Sequence, residues 1–275
     1  MREPYSPSHC VVVGIDGSRS ALQAALWAVD EAVDRDVPLR LVYAIDSFAS
    51  KPAAENAIRD ASAAVESTRK GVKVEAEIVH DAPIAALKTE SRSAGIVCVG
   101  STGLKHAVHG RIGSTASALA GSAHCSVAVV PLSAVPSSVG CILAVVDESP
   151  GRSAVLELAL REARLRGAEL RVLTTRPLQG SGLDYVDLAA EAARLERYLA
   201  PWRRSYPNVD IQPITGHSGV VNYLEQMLRN AEPVQLVVVD PRHSGPTDSL
   251  LGASGRAALD AARCTLLICG RQFWL

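Results

Sequence analysis

The chain repeats itself. Cys10-Val11-Val12-Val13-Gly14-Ile15-Asp16-Gly17-Ser18 matches Cys141-Ile142-Leu143-Ala144-Val145-Val146-Asp147-Glu148-Ser149 at a distance of 131 positions. Each segment is an apolar run that ends in Asp, one further residue, and Ser. The register continues without a gap through Ala28/Ala159, Glu31-Ala32/Glu162-Ala163, Arg35/Arg166 and Leu39-Arg40-Leu41/Leu170-Arg171-Val172. It resumes at an offset of 137 (Val72 and Val74 on Val209 and Ile211, Leu87 on Leu224), then at 140 (Ile96–Val99 on Leu236–Val239) and 139 (Gly113 on Gly252, Cys125 on Cys264). A match held over so many elements means two copies of one domain, expected over residues 1–136 and 137–275, with a longer connection after the second strand of the second copy. The stretch Leu132–Gly140, with Pro136, Ser137 and Ser138, breaks the rhythm and reads as the junction.

Within one copy, aliphatic runs alternate with helical periodicity. Val11–Ile15, Leu39–Ile45, Val72–Val79, Ile96–Gly100 and Ser126–Val130 read as strands. Ala21–Arg35, Ala53–Lys70, Pro83–Ala94 and Gly113–Ala123 read as helices, the first capped by Ser18 or Ser20. Continuous aliphatic strands between helices predict an α/β fold: two tandem doubly wound domains, each with a parallel sheet covered on both faces. Aromatic residues are only 4% of the chain against 48% apolar, so the core is aliphatic.

Composition also removes several functions. The formal net charge of -1 lacks the basic excess of a nucleic-acid binder. No apolar run approaches the ~20 residues of a membrane helix, and Met1–His9 has no export pattern, so a soluble cytoplasmic protein is expected. Four of the six cysteines pair by duplication (Cys10/Cys141, Cys125/Cys264) at strand edges, and without C-x-x-C spacing they read as buried structural thiols.

In doubly wound sheets, ligands lie beyond the carboxyl ends of the strands where strand order reverses. The first strand ends there in Asp16-Gly17-Ser18. Asp16 is a candidate acceptor for ribose hydroxyls or a metal, or alternatively a cap for the next helix. The fourth strand ends in Gly100-Ser101-Thr102-Gly103, followed after nine residues by Gly113-Ser114-Thr115. Gly100 and Gly103 would let backbone approach an anion, and Gly113-Ser114-Thr115 opens a helix whose free N–H groups suit phosphate. Between them, Lys105 and Arg111 are candidates to neutralise phosphate, while His106 and His109 read as solvated loop residues rather than metal ligands.

The spacing Gly100-x2-Gly103-x9-Gly113-Ser114, with Asp16 at the first strand end, resembles the ATP-binding fingerprint of the universal stress protein family. Trp27-Ala28 and His124-Cys125-Ser126-Val127 agree with it. The resemblance implies a five-stranded parallel sheet of order 3-2-1-4-5, and ATP, with Mg2+ as its companion, between the first and fourth strand ends. By the same resemblance Asp16, within Asp16-Gly17-Ser18, meets the ribose and Ala44 lies near the adenine. Gly100, Gly103, Gly113, Ser114 and Thr115 surround the ribose and phosphates. It also implies association through the last strands, Ser126–Val130 and Thr265–Cys269, as an internal pseudo-dimer or a homodimer. Phe273-Trp274-Leu275 is either part of that contact or a tail.

No G-x-x-x-x-G-K-[ST] occurs, so at most slow hydrolysis is expected. The leading function is a nucleotide-dependent regulatory module of a stress response with an unnamed protein partner. The alternatives are a nucleotide-hydrolysing or adenylating enzyme on the same fold, whose SGG-x-D-S or H-x-G-H signatures are not met, and a nucleotide-free adaptor. The second copy bears on the last. It has Asp240-Pro241-Arg242-His243 where the first has Gly100 to Gly103, and Gly252-Ala253 where the first has Gly113-Ser114, so the first copy is the expected nucleotide site.

Overall fold

A computed structural model describes residues 10–45, 50–103, 113–134, 140–147, 151–174, 185–215, 219–241 and 245–270. The loop residues Lys105, His106, His109 and Arg111, together with Arg242, His243, the expected boundary at 136 and the terminal Phe273-Trp274-Leu275, lie outside the described residues. The described residues fall into two compact units, one holding those up to Leu132 together with Gly270 and the other those from Ser133 to Cys269.

The first unit runs β1 (Cys10–Ile15), α1 (Arg19–Arg35), β2 (Leu39–Ala44), α2 (Lys51–Ser67), β3 (Val74–Val79), α3 (Pro83–Glu90), β4 (Ala94–Gly100), α4 (Ser114–Ser122) and β5 (Ser126–Val130). Its strands are parallel in the order β3-β2-β1-β4-β5. Helices α1 and α2 pack together, as do α3 and α4, so each pair covers one face. The second unit runs β6 (Cys141–Val146), α5 (Arg152–Arg166), β7 (Leu170–Thr174), α6 (Tyr185–Ser205), β8 (Ile211–Ile214), α7 (Val220–Arg229), β9 (Val234–Val239), α8 (Pro246–Leu251), α9 (Ala253–Ala262) and β10 (Thr265–Ile268). Its order, β8-β7-β6-β9-β10, repeats the first. The longer connection in the second copy is helix α6, with 21 residues against 17 in α2.

The central strands are aliphatic because neither face meets water. Val11, Val12, Val13, Ile96, Val97 and their counterparts Ile142, Leu143, Ala144, Leu236 and Val237 are all fully buried. Edge strand β3, by contrast, carries Glu75 and Glu77 among half-exposed and exposed positions, charges that discourage pairing with another chain. The matched Glu31/Arg35 and Glu162/Arg166 prove to be i,i+4 ion pairs inside the helices covering each sheet, both glutamates fully buried. Removing one partner of such a pair leaves a buried charge uncompensated. The conserved register between copies is therefore electrostatic as well as apolar.

Several boundaries differ from the periodicity. Helix α2 begins at Lys51, because Ser50 accepts from the Ala53 N–H and Pro52 fits the first turn. Helix α3 stops at Glu90, and β4 begins at Ala94, paired with Cys10. Strand β3 begins at Val74 rather than Val72, since pairing with β2 starts at Leu39. No helix among the described residues is long and apolar enough to cross a membrane.

All six cysteines are free and buried. Burial pushes the Cys125 thiol up to about 12 and the Cys141 thiol up to about 11, and holds Cys264 well above its ordinary value. A thiol with a pKa near 12 is ionised to only about one part in ten thousand at pH 8, and the thiolate is the reacting species. The folded protein should therefore leave Cys125, Cys141 and Cys264 unlabelled by a thiol reagent at pH 8, while guanidinium-unfolded chains react at all six cysteines. Mass spectrometry of the labelled peptides checks this; labelling of Cys125 at the unfolded rate would contradict it.

Candidate nucleotide site

Strand β1 pairs with β2 on one side and β4 on the other, and the chain connections from these strands diverge to opposite faces. A cavity of about 490 Å³ opens at the carboxyl ends where they part, within the ~300–1,000 Å³ common for small-molecule sites.

The first rim is the β1–α1 turn. Asp16 does not cap α1. Its Oδ1 accepts from the Ser18 N–H at 2.9 Å and closes a tight turn through Gly17, whose φ of 84° is a left-handed conformation suited to glycine. Ser18 is the cap: its Oγ accepts from the Ala21 N–H at 3.1 Å and donates to the Thr102 carbonyl at 3.4 Å. That second bond ties the turn to the segment after β4.

The second rim is built from β4 and α4. The Ser101 N–H donates to the Val130 carbonyl at 2.8 Å, and the Gly113 N–H to the Ser101 carbonyl at 2.9 Å. Residues 101 and 113 are thus stapled together at the base of the intervening loop. Helix α4 starts at Ser114 behind Gly113, and no side chain caps its first turn. Gly113, Ser114, Thr115 and Ala116 line the cavity, so the positive end of the helix dipole lies at its wall.

The third wall is apolar. Val42 and Ala44 of β2, Ala82 and Pro83, and Ile84 and Leu87 of α3 line it. One side of the cavity is therefore hydrocarbon and the other is hydroxyl, amide and one carboxylate.

Of the residues expected at the site, Asp16, Ser18, Ala44, Gly100, Gly103, Gly113, Ser114 and Thr115 all line this one cavity; Gly17 instead shapes the turn beside it. The glycines differ in what they avoid. A Cβ on Gly103 would stand 2.9 Å from Asp16 Oδ2, and one on Gly113 would come no closer than 3.6 Å to Ser101 O. A Cβ on Gly100 would meet Ser20 Oγ at 2.5 Å, Ser20 C at 2.6 Å and Ala21 N at 2.8 Å. The need for glycine at 100 thus comes first from the packing of α1 against β4. Ser20, read from the sequence only as an alternative cap, is buried beneath this contact inside α1 while Ser18 is the cap; nothing in the local pattern marks its bonds to distant segments.

One family model, described as the universal stress protein family, matches the chain twice, over residues 8–131 and 140–270. The chain belongs to the universal stress protein family. Among its relatives, universal stress protein Rv2028c of Mycobacterium tuberculosis H37Rv is 42% identical over 286 residues, covering 99% of this chain and 100% of its own. Universal stress protein Rv3134c of the same strain is 46% identical over 251 residues, 85% of this chain and 89% of its own. The crystal structure of a universal stress protein from Archaeoglobus fulgidus DSM 4304 superposes with a TM-score of 0.64 at 13% identity, over 96% of this chain and 99% of that one. That likeness bears on the fold, which the two share.

The second universal stress protein unit keeps the outline and changes the lining. Asp240, 8% exposed, stands at the end of β9 in the place of Gly100, and Thr247 Oγ1 donates to its carbonyl at 2.8 Å. Helix α5 begins at Arg152, two positions later than α1 by the 131-residue register, and Gly151 takes the place of Ser20.

These contacts separate two kinds of glycine. Gly100→Ala should destabilise the first unit by about 1–3 kcal/mol, the range for overpacking against backbone that cannot yield. Gly113→Ala should fall within about 0.5 kcal/mol of the parent, because its new methyl makes ordinary contacts only. Denaturant melts of the two variants check this, and equal stability losses would contradict it.

Proposed function

We propose that this protein is an ATP-binding regulatory protein of a stress response, with its dependable nucleotide site in the first unit. The observation that carries the reading is the division of one cavity into a hydrocarbon slot and an uncapped helix N-terminus, bridged by a carboxylate. An adenine base is flat and largely apolar on its faces, a ribose offers two hydroxyl donors, and phosphates seek N–H groups. In this reading Val42, Ala44 and Ile84 flank the base, and Asp16 takes ribose hydroxyls. The backbone at Gly100 and Gly103 and the Gly113-Ser114-Thr115 helix start hold phosphate oxygens. Mg2+ would enter on the triphosphate, since it is usually held by phosphates with one or two protein oxygens. Asp16 and the hydroxyls of Ser114 and Thr115 are the oxygen donors at hand. Among the described lining residues Asp16 is the only carboxylate, and one of its oxygens already accepts from Ser18 N–H. A freely placed base for an attacking water is therefore lacking among them, and hydrolysis in this reading is slow at most.

The second unit serves in this reading as a structural partner. Asp240 adds a carboxylate at the position of Gly100, and Ala253 lacks the hydroxyl of Ser114. The same reading takes the protein as cytoplasmic and homodimeric, and light scattering at twice the 29.0 kDa chain mass checks the dimer.

Titration calorimetry should show one tight ATP per chain, abolished by Asp16→Ala and unaffected by Asp147→Ala. Two equally tight sites would overturn the assignment to the first unit. Gly103→Asp should also abolish binding with folding preserved. Its carboxylate would crowd Asp16 and oppose the phosphates, a repulsion on the order of 4 kcal/mol at 4 Å and an effective dielectric of 20. Unchanged ATP affinity in Gly103→Asp would remove the phosphates from this loop.

A further inference from the structure

We propose that Ser20 is a positioning residue for the phosphate side of the first unit's cavity, and that its loss is one of the changes that separate the second unit's site from the first. The inference rests on the nucleotide reading above and names a residue outside the cavity lining.

Ser20 is 2% exposed, at the second position of α1. Its Oγ donates to the Val130 carbonyl at the end of β5, at 3.3 Å, and accepts from the Thr102 N–H at 3.4 Å. The same Val130 carbonyl takes the Ser101 N–H, and the Ser101 carbonyl takes the Gly113 N–H. A single hydroxyl therefore joins four pieces of chain: the first turn of α1, the end of β5, the segment after β4, and through Ser101 the start of α4. The last two carry Thr102, Gly103, Gly113 and Ser114, which form the polar rim of the cavity.

The bond to Thr102 also sets direction. Ser18 Oγ donates to the Thr102 carbonyl while Ser20 Oγ accepts from the Thr102 N–H, so both polar groups of this peptide position are turned toward α1. With Thr102 held on that side, the next residue, Gly103, is presented to Asp16, 2.9 Å from where its Cβ would be. Gly100 fits the same scheme. Only a residue without Cβ lets the end of β4 come close enough for Ser20 to reach across, because that Cβ would lie 2.5 Å from Ser20 Oγ.

The duplicated unit has changed both members together. Gly151 stands at the place of Ser20 and Asp240 at the place of Gly100. Glycine has no hydroxyl to hold the following segment, and α5 starts beyond it. The Asp240 carbonyl accepts from Thr247 of α8.

Ser20→Ala in the full chain tests this with two readouts. Amide hydrogen exchange at Thr102 should speed up in the variant without any ligand, because its acceptor is gone. ATP affinity should fall about tenfold, the scale of one lost buried hydrogen bond, while adenosine, which lacks phosphates, should bind both proteins equally. A thermal melt close to the parent's shows that the fold is intact. Unchanged exchange at Thr102 would overturn the proposal, as would equal losses for ATP and adenosine or an unchanged ATP affinity. If the parent itself binds no ATP while Thr102 exchange still rises, the nucleotide reading fails and the anchoring role of Ser20 stands.

Discussion

Strand β1 is hydrogen-bonded on both sides and buried on both faces, and this double enclosure governs the first unit. Val11, Val12 and Val13 have no exposed surface, so the strand can leave the core only at its ends. Its neighbours β2 and β4 are reached through helices on opposite faces. Right-handed crossovers then leave a crevice at the carboxyl ends, whatever residues line it. The chemistry is added by a short turn, Asp16-Gly17-Ser18, and by an uncapped helix start at Gly113. A fold of this kind offers the place; the residues there decide what occupies it.

Much of this was legible in the sequence, for physical reasons that can be named. The duplication showed because a strand buried on both faces tolerates only aliphatic residues, and because two buried glutamates each need an arginine four residues on. Sheet order came from the family resemblance, not from periodicity. Asp16, Gly103 and Gly113 could be placed at the site because they sit at strand or helix ends, where side chains and N–H groups are left over. Gly100 was legible as a glycine but not for its reason. Sequence pattern pointed to a ligand, whereas the contact that forbids a Cβ is the first turn of α1. Ser20 was legible only as an alternative helix cap, and its role was not, since its partners, Thr102 and Val130, lie 82 and 110 residues away.

The two units share one architecture and differ at their strand ends. Strand order, the buried Glu–Arg pairs and the cysteines at strand edges are retained, because each is tied to the core. The changes gather at the carboxyl ends of the strands, where the core places few demands. Gly100 and Ser20 correspond to Asp240 and Gly151, and α5 begins two positions later than α1 in the repeat register.

In the proposed function these end residues confine nucleotide to one unit. A crystal structure of the full chain grown with ATP tests it most directly. ATP density is expected in the first unit, with the base against Val42, Ala44 and Ile84, the ribose at Asp16 and phosphates at the start of α4, and none at Asp147 and Asp240. Nucleotide at Asp147 and Asp240, in place of or alongside the first cavity, would contradict it.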